Sequence, residues 1–381
     1  IYDGSTKIGA GELLLPGEVI LESGQSYAAP ELFAVYSAEG LDGVASIFHE
    51  HLRARPHHPS RPRPITINVW EAVYMDHRFE KLEQLADVCA EIGVERFVLD
   101  DGWFGARRDD HAGLGDWVVS ADAWPRGLHP LAECLQDRNI EFGLWFEPEM
   151  VNADSDLYRA HPEWILHVGD RVPPEYTDRV HASDCNEALE RQRIQRWTTQ
   201  VLPPELVDSH IGPTHAHTTG RYHEIGFRAV TALFGHAGIE WDITQATAEE
   251  REILKSWIAY YKANRGLLHG GRMVRVDHPS DAATLHGVVA HDKSRAIFAM
   301  VQEGVSKASR PVPLRFPGLD PDRRYRVIEV QPAGSPRYWQ IRTPRWITEG
   351  VELTGRVLGE VGVQPPILTA EQAMLVEITA L

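Results

Sequence analysis

Between residues 65 and 268 short apolar runs alternate with stretches of helical period, and this alternation most constrains the fold. The runs fall at 65–70, 97–100, 142–146, 179–183, 206–211 and 238–242. Helical spacing marks 78–92, 128–139, 187–199, 223–234 and 248–268, with Gly93 placed as a C-terminal stop. Short strands alternating with helices predict parallel βα units. A chain of 381 residues has room for one (β/α)8 TIM-type barrel of about 250 residues plus smaller additions. Six strand units are visible, where a closed barrel has eight.

The flanks have another texture. Residues 1 to about 38 alternate apolar and polar side chains between Gly and Pro (GELLLPGEVILESGQSY), the pattern of short antiparallel strands. Leu41, Val44, Ile47, Phe48 and Leu52 then recur at helical spacing, until PHHPSRPRP forbids continuation. From about Leu285 strand-like runs return, with GLDPDRR as a turn and no helix of any length, which predicts a C-terminal antiparallel β-sandwich. The expected domains are 1–56, the end of an N-terminal β domain with a linker helix; 57–278, the barrel; and 279–381, the β-sandwich.

A net charge of −17 repels phosphate backbones and anionic lipid, so neither nucleic acid nor a membrane is an expected partner and a neutral substrate fits better. No window carries the 18 or so apolar residues of a membrane span, and the first thirty residues lack a basic segment followed by an apolar one. The sequence starts at Ile1, which implies residues upstream. Cys89, Cys134 and Cys185 form no CxxC pair, pointing to a reducing, cytoplasmic compartment. Phosphate-binding loops and nucleophile elbows are absent, and no cofactor is expected.

Acids gather where strands end. Asp100 and Asp101 close one run, beside Trp103, whose flat face suits a sugar ring. Trp70 and Glu71 close another; Trp145, Phe146, Glu147 and Glu149 close a third. Asp184 ends a fourth, where a carboxylic acid could protonate a leaving group. The structural alternatives are helix N-caps, for Asp100 and for Asp184 ahead of a helix beginning near Glu187. His210, His215, His217 and His223 cluster near Asp208, and a His-x-His pair on a barrel loop is compatible with a metal-dependent hydrolase as well as with loop hydrogen bonding.

The stretches NVWEAVYMD (68–76), FVLDDGWFGARRDDHAGLGDW (97–117) and FGLWFEPEMVN (142–152) closely resemble the bacterial α-galactosidases of glycoside hydrolase family thirty-six. SDCNEALERQRIQRW (183–197), SHIGPTHAHTTGR (209–221) and FGHAGIEWDIT (234–244) resemble the same family in the same order. The resemblance implies an N-terminal β-supersandwich, a (β/α)8 barrel and a C-terminal antiparallel β domain. It implies that Asp100 and Asp101 bind the galactose O4 and O6 hydroxyls, that Trp145 and Trp70 belong to the same subsite, and that Asp184 is the general acid/base. His181 stands where the family carries Trp. The implied partners are an α-galactoside and further copies of the chain.

One departure matters more. The family carries on the order of a hundred further residues between the segments resembling 161–171 and 177–184, holding the nucleophilic Asp, a Gly-rich pocket loop and a sugar-contacting Arg. Here Arg171, Pro173, Pro174 and Glu175 run directly into Tyr176 and Thr177. The barrel is thus expected to be interrupted near 171–178 and to lack its nucleophile. Either the numbering closes over a segment that exists, or the deletion is real and the barrel is open or completed by a partner. The alternative functions are a non-catalytic galactoside-binding protein, a galactosyltransferase akin to raffinose synthases, and a metal-dependent barrel hydrolase on His215 and His217.

Overall fold

The computed structural model describes residues 9–14, 16–165, 183–340 and 342–381 of a sequence that is continuous from 1 to 381. Five parallel strands form its centre: β1 (Thr66–Asn68), β2 (Arg96–Leu99), β3 (Glu141–Leu144), β4 (Asp208–Ile211) and β5 (His236–Ile239). Their order is β3-β2-β1-β5-β4. This is chain order wrapped into a wall, the first strand already joined to the last, with β3 and β4 as edges among the described residues. Five of the six expected runs are strands of this sheet. The sixth, 179–183, lies outside the described residues except for Ser183, which is in no strand, and the junction 171–178 lies wholly outside them.

Strand alternation sorts the wall into two faces. Ile67, Phe97, Leu99, Ile211 and Ile239 are buried in the core shared with the helices. Thr66, Asn68, Val98, His210 and Gly238 line the interior. The helices follow the sequence period. Phe79–Ile92 buries Leu82, Leu85, Ala86, Cys89 and Ile92, and it stops at Gly93, whose φ of 89° is the left-handed cap that glycine adopts without strain. Ala248–Gly270 opens with a capping box: Glu250 N donates to Thr247 Oγ1 at 3.1 Å, and Thr247 N to Glu250 Oε2 at 2.9 Å.

Among the described residues the expected N-terminal strands do not form. Residues 9–14 and 16–39 contain no strand, and Leu13, Ile20, Leu21, Leu32 and Phe33 are exposed. Alternating side chains suit a sheet, but no described segment runs alongside to exchange backbone hydrogen bonds. The helix that follows, Gly40–Arg53, is present as expected.

The C-terminal segment is one six-stranded antiparallel sheet of β6 (Arg272–Val276), β7 (Ala283–Val289), β8 (Arg295–Gln302), β9 (Arg324–Val330), β10 (Val351–Thr354) and β11 (Gln372–Ala380), in the order β10-β9-β11-β8-β7-β6. A six-residue helix, Gly355–Glu360, stands where none was expected; it is too short to show a period and is capped by Thr354. Along β8 and β11 alternate side chains serve two cores. Ile297, Ala299, Val301, Ala373 and Leu375 join the core of the barrel helices; Ala296, Phe298, Met300, Met374 and Val376 pack under Leu314, Phe316 and Leu358. On one side, the layer facing this sheet is therefore the barrel itself.

The Thr247→Ala variant is expected to lose 0.5–2 kcal/mol, seen as a lower urea midpoint with an unchanged denaturant slope.

Candidate functional site

The register Gly143↔Val98↔Asn68 sets β3, β2 and β1 side by side, so their C-terminal ends open onto one rim. Trp70, Asp100, Asp101, Trp145, Phe146, Glu147 and Asp184 all line a single cavity of about 500 Å³. His210 and Glu240 line it as well, and it continues down the interior to Val207 and His236. The five site residues that the family resemblance implies, Trp70, Asp100, Asp101, Trp145 and Asp184, are thus brought to the same cavity.

Asp101 is buried against a cation. Arg107 Nε donates to its two oxygens at 2.9 and 3.0 Å, and Arg107 Nη2 donates to Oδ2 at 2.8 Å. The guanidinium is buried too, and its Nη1 reaches Asn152 Oδ1 at 3.0 Å; that oxygen also accepts from Leu114 N at 3.0 Å. Two loops are therefore ordered around one carboxylate. Its remaining lone pairs can still accept from a hydroxyl, because a carboxylate has about four acceptor sites.

Asp100 has no such cation. Asn68 Nδ2 donates to its Oδ2, and the Asp101 N–H donates to Oδ1 at 2.6 Å. Burial pushes its carboxyl up to about 7, outweighing these donors, and the charges of Asp101 and Glu240 add to the rise. The rim thus pairs an arginine-held Asp101 with an Asp100 that exchanges its proton near neutral pH. Neither residue caps a helix.

Trp103 is not the expected sugar platform. It is 2% exposed, its Nε1 donates to Trp145 O at 3.0 Å, and its ring meets Phe104 and Phe146 edge-on at 5.2 and 5.1 Å. It buttresses the Trp145 backbone from behind. Trp70 and Trp145 are the indoles that reach the cavity, Trp70 through a turn started by its N–H donating to Asn68 Oδ1 at 2.8 Å.

The Asp184 segment is held by a residue the sequence did not single out. Arg191 is fully buried, and its guanidinium donates to Ser183 O at 3.1 Å, Cys185 O at 3.0 Å and Asp208 O at 3.1 Å, tying the segment to β4. The cap of the next helix is Glu187, which accepts from Leu189 N at 3.0 Å and Glu190 N at 2.8 Å. Asp184 is not needed for that purpose; it is exposed at the cavity. Gly212 lets β4 pass close by, since a Cβ there would sit 2.5 Å from Asn186 O.

The histidines disperse. His215 stacks on Tyr222 at 4.4 Å, whereas His217 Nδ1 accepts from Asn186 Nδ2 at 2.6 Å and faces Glu71 Oε2 at 3.5 Å. His210 Nδ1 lies 2.8 Å from Glu240 Oε2. Glu71 faces His217 and not the cavity, and burial raises its pKa. Among the described residues no three potential ligands converge on a metal position. Asn68, Arg107, Asn152, Arg191 and Glu240 escaped the sequence reading. The available signal was a polar residue on the inward face of an apolar run for Asn68 and Glu240; nothing local marks the buried arginines.

Acceptors for hydroxyl protons beside indole faces are what a polyhydroxylated ring requires, so the fold and rim define a carbohydrate-active barrel. The Melibiase family model matches residues 26–175 and 173–271, and the Glycosyl hydrolase family 36 C-terminal domain matches 283–378. The chain belongs to this family, the melibiases of glycoside hydrolase family 36. It is 33% identical to the α-galactosidase of Escherichia coli, over 99% of this chain and 67% of that one, and 30% identical to AgaA of Geobacillus stearothermophilus, over 81% and 56%. A structure of an AgaA variant in complex with stachyose superposes with a TM-score of 0.81 at 27% identity, covering 95% of this chain and 62% of that chain. A second AgaA variant, in complex with raffinose, gives 0.78 at 27% identity, over 91% and 60%.

The chain therefore spans between a little over half and two thirds of these relatives. The two melibiase segments meet at residues 173–175, and the alignment with the E. coli enzyme covers 475 positions, about ninety more than this chain has residues. The first places the break at the junction expected to be interrupted, and the second shows that the relative carries residues for which this chain has no counterpart.

Two measurements probe the acid pair. Arg107→Ala leaves a buried carboxylate unpaired and is expected to cost on the order of 3–5 kcal/mol in denaturant unfolding, with Arg107→Lys restoring only part because it lacks the planar fork. Asp100 holds its proton more tightly folded than unfolded. Its contribution favours the fold below the unfolded pKa and is lost as pH rises through about 7. The stability of Asp100→Asn relative to the parent should therefore climb between pH 5 and pH 8; a flat difference would contradict the buried, protonating carboxyl.

Proposed function

We propose that the rim is the galactose subsite of a retaining α-galactosidase acting on terminal α-galactosyl residues of melibiose- or raffinose-type galactosides. The observation that carries this reading is the gathering of Trp70, Asp100, Asp101, Trp145 and Asp184 around one cavity. The relatives' names and the raffinose and stachyose held by AgaA variants support the substrate class. In this reading Asp100 and Asp101 accept the ring hydroxyl protons, Trp70 and Trp145 wall the ring, and Asp184 protonates the departing oxygen and then activates water.

Retention requires a second carboxyl about 5–5.5 Å from the acid, to attack the anomeric carbon. The resemblance assigns that nucleophile to the segment with no counterpart between Arg171 and Thr177. Asp100 and Asp101 are poor substitutes, because their roles direct them at hydroxyls remote from the anomeric centre. We therefore assign to the 381-residue chain the binding half of the site and not the covalent half. The domain limits 57–278 and 279–381, homo-oligomeric assembly and a cytoplasmic address belong to the same proposal. No described helix is long and apolar enough to cross a membrane, and the three cysteines are free thiols. The split family match also favours a second reading, a galactoside-binding protein without turnover. A transferase would be recognised by new galactosides formed with sugar acceptors, and a metal-dependent hydrolase by loss of activity to a chelator.

Two results are expected of the chain on its own. It releases no phenol from an aryl α-galactoside, and steady release would restore a nucleophile to this sequence. Galactose binding measured by calorimetry weakens by 1–3 kcal/mol in Asp101→Ala, the cost of a hydroxyl left without its acceptor, and changes little in Asp184→Asn. Equal affinity in parent and Asp101→Ala would remove Asp101 from the subsite.

A further inference from the structure

We propose that the C-terminal sheet carries a second saccharide-binding site, a pocket for one sugar ring with Trp339 as its platform. The cavity there is about 210 Å³ and shares no lining residue with the rim cavity. Drug-sized sites run from roughly 300 to 1,000 Å³, so this one suits a single ring. Its floor is apolar, from Ala283, Met300 and Leu368, and its edge carries Trp339, Arg310 and His278.

Trp339 is 73% exposed, yet its backbone is fixed: its N–H donates to Ile367 O at 2.8 Å, and the neighbouring Tyr338 hydroxyl is held by Glu329 at 2.6 Å. An indole held into water on a pinned backbone presents its face at little further entropic cost, which is what stacking on the C–H face of a pyranose requires. The polar edge suits hydroxyls. Arg310 is exposed and has no hydrogen-bond or ion-pair partner among the described residues. His278 Nδ1 accepts from Ser280 N at 3.2 Å, which leaves the ring proton on Nε2, a donor without a partner. Burial holds this imidazole below its usual pKa. Gln302 Nε2 is engaged by Ala282 O and Gly304 O at 3.0 and 2.7 Å, which leaves Oε1 as an acceptor. One guanidinium among neutral groups, on a chain of net charge −17, favours a neutral sugar over a phosphate. The pocket's geometry stands by itself; its ligand class rests on the galactoside reading of the rim.

The test is an NMR titration of the 381-residue chain with raffinose, following the indole N–H signals of its 11 tryptophans, with Trp339 identified by its loss in Trp339→Phe. In Asp101→Ala, raffinose should still shift the Trp339 signal, and adding Trp339→Ala should weaken this residual binding at least tenfold. Arg310→Ala, an exposed change that spares the fold, should weaken it as well. If Asp101→Ala removes every response, the second site fails and the rim reading stands. If the Trp339 response survives while Asp101→Ala changes nothing elsewhere, the rim reading fails and the second site stands. A change in mass by light scattering for Trp339→Ala, with raffinose binding unaltered, would make the patch a protein contact and overturn the proposal.

Discussion

Two neighbouring carboxylates buried at the end of one strand are the constraint around which the rim is built. Burying a carboxylate is costly unless it is paired or neutralised, and this chain uses both remedies side by side. Asp101 receives the fork of Arg107, and through Asn152 that fork organises the chain on either side of Leu114. Asp100 receives only neutral donors and keeps a proton to higher pH. Two identical side chains, adjacent in sequence, thus come to differ in their partners, a guanidinium for one and neutral donors for the other. The cost falls on stability, and the return is a pair of acceptors fixed before any ligand arrives.

Much of this was legible in the sequence because it rests on periodicity. Helix 79–92 and its glycine stop, the parallel character of the strands, and the acids at their ends all follow from spacings of 3.6 and 2 and from the turn chemistry of Gly93. The failures have one shared cause: they depend on partners distant in sequence. The alternation of residues 1–38 promised strands, but a strand requires a neighbour, which no described segment provides. Trp103 lay beside the acids in sequence, yet β2 turns it behind Trp145, while Trp145 itself comes from β3. Arg191 looked like any solvated helix arginine, and only the fold shows three carbonyls converging on it. Such residues leave no local trace, because their roles are defined by what the backbone brings to them.

The Asp184 segment shows how little sequence is needed to fix a side chain once the framework exists. A fully buried guanidinium gathers the carbonyls on either side of Asp184, and Glu187 closes the helix that follows. The carboxylate between them is exposed at the cavity. The residue that supports this segment and the side chain the segment presents to the cavity are thus different ones.

The strict alternation along β8 and β11 has a consequence for how such proteins can be assembled from parts. A sheet that lends one face to the barrel helices and the other to its own core is not a detachable module, even though family models treat it as a separate unit. Cutting the chain at residue 271 would strip β11, with Ala373 and Leu375, from the helix Ile225–Leu233, and Ile297 and Val301 from the core they share with the barrel helices. Chimeras that exchange the C-terminal sheet between relatives should therefore succeed only when that inward row of side chains is exchanged together with the helix surface it covers. Along this lineage, recombination would be expected to carry the two as one cassette.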